Sequence, residues 1–470
     1  MSDGPTGLGR GAAYGVVATG LEKAVSLGIA LYLSRHLGLG DYGRYAFVLG
    51  FMNFFQVVPD AALEAVLVTR LVGAGTGAAA TAGRGAGVRF IVSTLGATLG
   101  LTTLWLATGD GVMERAAAVW SVGLLASALT PYRVLLRAGL DMRRYLLLLA
   151  AQGAVAILLL ALAVRASAGL PATVGAVAGA SFAALGFGRL LVGGGVHPRF
   201  DAGMVRTLVA AAWPLAGTTL AVVGAQQALQ LLLLQHHGTD EVALLGGPQK
   251  LVEAVGLLPQ ALMLSVLPAL AAGGRSPTAA ASRAGDAARL LVVVLLPVAA
   301  VLEVWAEPVL TIGLGARFAP AAPVLRILAL VTLLGATGLV LTTLLVATGL
   351  QRALFFVNVG TAVGMVGLGA LLVPRYGAAG AAGALAGGLL AGQVTLLAMP
   401  TTRPLVRPVL ASVMRPLGVG GLAAATAAAV GGSPLAGALV LIVAYPVVLV
   451  ASGAVTRADL LRWRAEGSVS

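Results

Sequence analysis

The sequence predicts an all-α, polytopic membrane protein of about fourteen transmembrane helices, and three observations carry that expectation. Of its 470 residues, 59% are hydrophobic and only 10% charged, whereas soluble globular chains carry about 25% charged residues. The mean hydropathy is +0.98. Apolar runs recur along the whole chain, and about 20 such residues cross a bilayer. The segments between them are short, which leaves no room for an extramembrane domain.

In chain order, spans are expected at 12–34, 45–67, 88–108, 116–136, 145–164, 172–192, 208–235, 244–270, 288–306, 321–347, 353–373, 378–399, 414–431 and 435–453. The first follows Arg10 and is too long for a cleaved signal peptide, so it reads as a retained helix. Alanine and glycine blur the span ends around Gly73 to Gly87 and Gly367 to Gly392. The spacings Gly96-x3-Gly100, Gly175-x3-Gly179 and Gly360-x3-Gly364 permit close helix approach. In a chain with 65 glycines, such spacings distinguish nothing.

Arginine distribution sets the expected orientation. With the N-terminus cytoplasmic, 21 of the 28 arginines fall on the cytoplasmic side and 7 on the outer side. Positively charged loops stay inside, so both termini are expected in the cytoplasm. The same distribution explains the net charge of +13 without nucleic acid: aromatics are only 5% and the arginines stand singly between apolar spans. With no cysteine, there is no disulfide, thiol chemistry or Cys-ligated metal.

The chain also repeats itself at a spacing near 200 residues: Pro59, Ala61, Val66 and Leu67 recur as Pro259, Ala261, Val266 and Leu267. Arg84 and Arg89 fall opposite Arg283 and Arg289. Corresponding loops carry arginine on the same side, which implies parallel copies. The expected organisation is an N-terminal lobe of six helices over 1–206, a pseudo-symmetric lobe of six over 207–400, and two extra helices with a cytoplasmic tail over 401–470.

Charge inside the spans marks the candidate site. A charged group near the bilayer centre costs roughly 2.5–3.5 kcal/mol on insertion scales, so the first two spans, with Glu22, Lys23, Asp60 and Glu64, imply a polar cavity. Both lysines of the chain, Lys23 and Lys250, lie within spans. An ammonium is a compact point charge for phosphate and deprotonates more readily than a guanidinium, which suits a site that binds and then releases an anion. The competing structural reading pairs Lys250 with Glu253 on one helical face, and Lys23 with Asp60 or Glu64 across an interface.

Asp60 and Glu64 are one turn apart beside Pro59, on one helical face. They could form a proton or sodium site, or ion pairs to Arg70 or a neighbouring helix. Gln226, Gln227 and Gln230 bring amides to the seventh span; Gln226 and Gln230 are candidates for sugar hydroxyls, against a plain helix-tying role. His236 and His237 have no carboxylate or cysteine at zinc spacing, so no metal is expected. No G-x-x-x-x-G-K-[ST] loop occurs, so direct ATP driving and other cofactors are not expected, and a proton or sodium gradient is the candidate driving force.

The stretch Leu37-Gly38-x2-Asp41-Tyr42-Gly43-x-Tyr45-x-Phe47, read there as a turn, is followed by Asp60, Leu63 and Arg70. It resembles the N-terminal signature of the polysaccharide or O-antigen flippases, which carry lipid-linked oligosaccharides, in the multidrug/oligosaccharidyl-lipid/polysaccharide exporter superfamily. Leu258-Pro259-x-Ala261 through Val266-Leu267-Pro268 is similar to the family's eighth helix. Ala347-Thr-Gly349-x2-Arg352, Asn358 and Leu372-Val-Pro374-x-Tyr376-Gly377 are likewise similar to its later segments. The likeness covers nearly the whole chain, with Ala62 where the family often has glycine.

The resemblance implies a two-lobed, fourteen-helix flippase of the cytoplasmic membrane. It would turn an undecaprenyl-diphosphate-linked oligosaccharide to the outer leaflet by alternating access, as a monomer, with a polysaccharide polymerase or glycosyltransferases as candidate partners. Related lipid II flippases place cations on the first, second and eighth helices. Lys23 and Lys250 match the first and eighth, whereas the second carries no mid-span Arg or Lys. Two other readings are a cation-coupled multidrug exporter of the same superfamily and, more remotely, a membrane-embedded glycan polymerase or ligase.

Overall fold

The computed structural model describes residues 5–72, 77–139, 141–194, 196–263 and 277–430. These residues form helices and no strands. Among them, eight helices are long and apolar enough to cross a membrane, or ten if each of two bent pairs counts as one span. Large apolar side chains such as Leu106, Leu190, Val363 and Leu371 point outward, the surface a bilayer requires and water would penalise. The expected span at 435–453 and the later part of that at 244–270 lie outside the described residues.

The chain divides into two compact units at Gly246/Gly247. The N-terminal unit contains α1 (Pro5–His36), α2 (Leu39–Phe54), a π-helical turn (Val58–Ala62), α3 (Leu63–Leu71), α4 (Ala78–Thr108), α5 (Gly111–Ala128), α6 (Tyr132–Ala138), α7 (Met142–Arg165) and α8 (Gly169–Val192). It also holds most of α9 (Ala202–Val255). The C-terminal unit is built on α10 (Pro277–Val304), α11 (Ala306–Gly313), α12 (Ala322–Ala347), α13 (Gln351–Ala398) and α14 (Arg403–Val430).

Two expected pairs of spans appear as single long helices with an internal break. The 54 residues of α9 would extend about 80 Å at 1.5 Å per residue, far beyond the ~30 Å hydrocarbon core. Gly238, at φ 81° and ψ −170°, interrupts that helix, and Gly377, at φ 54° and ψ −131°, interrupts α13. Left-handed φ is open to glycine at little cost. The breaks fall in the gaps between the expected spans 208–235 and 244–270, and 353–373 and 378–399.

Two spans of the N-terminal unit are bent. The direction changes by 59° between α2 and the segment Val58–Leu71, and by 41° between α5 and α6. At the first bend, Pro59 opens the helix and the Leu63 N–H reaches back to the Val58 carbonyl, a π-type turn. The carbonyl of Phe55 abuts Gly96 of α4, and the Gln56 amide donates to the Ser93 carbonyl at 3.3 Å. The two inner halves, α3 and α6, then pack together over Leu63, Leu67, Val134 and Leu135, with Val88 of α4.

Three sequence expectations change here. The stretch from Asp41 to Tyr45, read as a turn, lies in the first turns of α2, because extended Gly38 (φ −64°, ψ 159°) starts that helix and Asp41 sits where the helix dipole favours a carboxylate. Gly43 rests on the Thr239 backbone beside the break in α9, with no room for a Cβ. The third span begins at Ala78 rather than near residue 88. Arg89 is consequently buried within α4 instead of standing in a loop.

Candidate functional site

The bends bring charge together inside the N-terminal unit. Asp60, in the π turn, accepts from Arg89 Nη2 at 2.8 Å, and that nitrogen lies 3.9 Å from Glu64. Glu64 accepts from Arg137 of α6 at 2.7 Å. One turn earlier on α6, Arg133 pairs with Glu22 of α1 at 2.6 Å. Asp60 and Glu64 thus share the buried Arg89, while Glu64 and Glu22 meet Arg137 and Arg133, one turn apart on α6.

Burial is uneven across this cluster. Arg89 is 3% exposed and Glu64 10%, while Asp60 and Arg137 are 46% and 45% exposed. The cluster is sealed on one side and open on the other. The Nε atoms of Arg89 and Arg133 are buried and have no acceptor among the described residues. A buried donor without a partner is uncommon, because it loses its hydration without compensation.

The other candidate residues separate into two places. Lys23 is half-buried on α1 next to Glu22. Gln226, Gln227 and Gln230 are partly buried on α9, with the carbonyl oxygens of Gln227 and Gln230 turned toward Gly50 of α2 and lacking donors among the described residues. Lys250 and Glu253 belong to the C-terminal unit, where Nζ lies 3.0 Å from Oε2 on the same helical face. For Glu64, the partner is a neighbouring helix rather than Arg70, whose guanidinium lies beside the Thr207 carbonyl.

Sequence reading misses Arg89, Arg133 and Arg137 as site residues and counts them only among the arginines of the cytoplasmic side. The signal was present in the spacing, since Arg133 and Arg137 repeat the one-turn separation of Asp60 and Glu64. Hydropathy windows hid it, because they place a cation at the end of whichever apolar run it interrupts. Among the described residues, no group of three or more acidic or histidine side chains could hold a metal ion.

Charge gathered between bent, membrane-length apolar helices marks a multi-pass membrane protein. The fold is similar to that of lipid II flippase MurJ in an inward closed conformation: TM-score 0.71, 12% identity, over 92% of this chain and 97% of that one. It is similar also to an inward-facing multidrug resistance MATE transporter of the MOP superfamily, with TM-score 0.62 and 16% identity over 83% and 96%. A MOP superfamily transporter from Pyrococcus furiosus matches with TM-score 0.53 and 14% identity over 86% and 96%. No curated protein matches the sequence. The model of the family described as "Polysaccharide biosynthesis protein" matches residues 8–273, and the chain belongs to that family. Its fold is shared with these multi-pass membrane transporters.

Proposed function

We propose that the protein is a flippase that moves a polyprenyl-diphosphate-linked oligosaccharide across the cytoplasmic membrane by alternating access, for cell-surface polysaccharide synthesis. The observation that carries this reading is the ion-pair cluster around Arg89, Arg133 and Arg137 between apolar helices, sealed at Arg89 and Glu64 and open at Asp60 and Arg137, with two buried guanidinium N–H groups lacking acceptors among the described residues. Charge is retained inside membrane-length helices when it serves a pathway. Lys23 and Lys250 would neutralise the diphosphate, and Gln226 and Gln230 would meet sugar hydroxyls. Glu22, Asp60, Glu64 and Glu253 would act in gating or in coupling to a proton or sodium gradient. Both termini would be cytoplasmic, and the chain would work as a monomer alongside a polysaccharide polymerase or glycosyltransferases.

A cation-coupled multidrug exporter is the second reading, favoured by the half-exposed Asp60 carboxylate, which could receive a cationic drug. Reconstitution into vesicles with a fluorescent lipid-linked glycan separates the two. The flippase reading expects glycan to change leaflets only in vesicles containing protein, faster under a pH or sodium gradient. Export of cationic dyes without glycan transfer would replace it with the drug reading.

A further inference from the structure

We infer that the N-terminal unit carries a docking surface for anionic phospholipid headgroups, built on the extended segment that joins α8 to α9. This inference does not depend on the cargo. Residues 196–201 are non-helical and lie as a strap along one face of α4. Gly83 and Gly87, one turn apart, leave that face bare: the carbonyl of His197 sits against Gly83 and that of Arg199 against Gly87, where a Cβ would collide with them. The Arg199 N–H donates to the Gly83 carbonyl at 3.0 Å, and Phe200 meets Phe90 edge-on with ring centroids 6.3 Å apart. The strap is therefore fixed by backbone contacts, leaving its side chains free to face outward.

Those side chains form a basic patch. Arg199 is exposed, and Arg84, one residue from one strap contact on α4 and three from the other, lies 3.9 Å from Asp201. Arg70 reaches the Thr207 carbonyl at 3.5 Å, next to exposed Arg206. Arg84, Arg199, Arg206 and Arg70 thus lie on and beside the strap and the first turns of α9, where Asp201 pairs with Arg84 and caps the start of α9 by accepting from the Met204 N–H at 3.1 Å. Exposed Phe200 supplies an apolar side chain beside the cations. Fixed cations next to an aromatic, at the ends of apolar helices, match the chemistry of a phosphodiester headgroup above an acyl chain.

The test measures lipid retained by the full-length protein purified in mild detergent, by native mass spectrometry after exposure to phosphatidylglycerol or phosphatidylcholine. Wild type should retain phosphatidylglycerol several-fold over phosphatidylcholine, with the preference shrinking at high salt. Arg84→Gln with Arg199→Gln should cut the preference roughly fivefold per arginine. Arg143→Gln with Arg144→Gln, exposed at the start of α7 and outside the strap and the α4 face it covers, should leave it unchanged. Asp201→Asn keeps the helix cap, removes the competing carboxylate and should raise the preference, so the inference stays testable if the double variant fails to fold. Equal retention of the two lipids by wild type, an equal loss in the Arg143/Arg144 variant, or full displacement by inorganic phosphate would overturn it.

Discussion

The two units hold their helices together by different means. In the N-terminal unit, bent spans expose polar backbone and turn charged side chains inward. Its Glu64 and Arg89 are the buried charged side chains among the described residues. In the C-terminal unit, the helices meet through small residues and hydroxyls. Gly360 faces Thr395, Gly364 faces Ala391, and Gly388 lies on Thr361 and Met365. The Gln393 amide donates to Thr337 and to the Leu334 carbonyl at 3.0 and 3.1 Å, and Ser412 donates to the Gly285 carbonyl at 2.9 Å. Close packing with satisfied neutral groups suffices to hold helices in a membrane. The N-terminal unit adds buried charge to such contacts, and charge kept among apolar helices points to a working role.

Substitutions can break this contrast, the largest effect first. Arg89→Met takes the cation from Asp60 and leaves Glu64 with Arg137 alone, and removing one partner of a buried pair costs about 3–5 kcal/mol. Thermal unfolding in detergent should show it, with part of the loss regained when Asp60→Asn and Glu64→Gln are added. Gly388→Ala pushes a methyl into Thr361 and Met365 in the C-terminal unit, for about 1–3 kcal/mol of overpacking. That unit should prove sensitive to volume where the other is sensitive to charge.

A third effect is smaller and depends on pH. At the α4–α5 connection, the Asp110 carboxylate accepts from the Val112 and Met113 N–H groups and from Arg44 at 2.8, 3.3 and 3.0 Å. Burial alone would raise its pKa, but the Val112 N–H, Arg44 and the Met113 N–H together hold it below the ordinary carboxylate value. A carboxyl depressed in the folded state stabilises fully above its unfolded pKa, about 3.9, and that contribution fades as pH falls through the lower native value. Asp110→Ala should cost about 1 kcal/mol at neutral pH through the lost helix cap, and the variant should lose less stability than wild type on acidification to that range. The smallest effect belongs to Lys250→Ala: its same-face pair with Glu253 is half-exposed, worth about 0.2–0.5 kcal/mol. A larger loss would mean that Lys250 does more than pair with Glu253.

Much of the fold was legible in the sequence, because membrane-length apolar runs are a strong signal and the glycine-marked breaks fall where two runs adjoin. The charged positions Glu22, Asp60 and Glu64 were legible for the same reason, since charge inside an apolar run stands out. Their partners were not. Arg89 lies within a helix whose start is blurred by alanine and glycine, and Arg133 and Arg137 sit on a seven-residue helix beyond a bend. Which helix a bent half meets is decided by tertiary packing. The role of Gly43 was likewise hidden, because its reason lies in the Thr239 carbonyl, nearly two hundred residues away in the chain.

The most direct test of a working charge cluster is glycan transfer by Lys23→Ala, which removes the cation next to Glu22 on α1. The account predicts that cells carrying this variant lose surface glycan while the protein stays at its normal level in the membrane. Surface glycan at the wild-type level in those cells would contradict it.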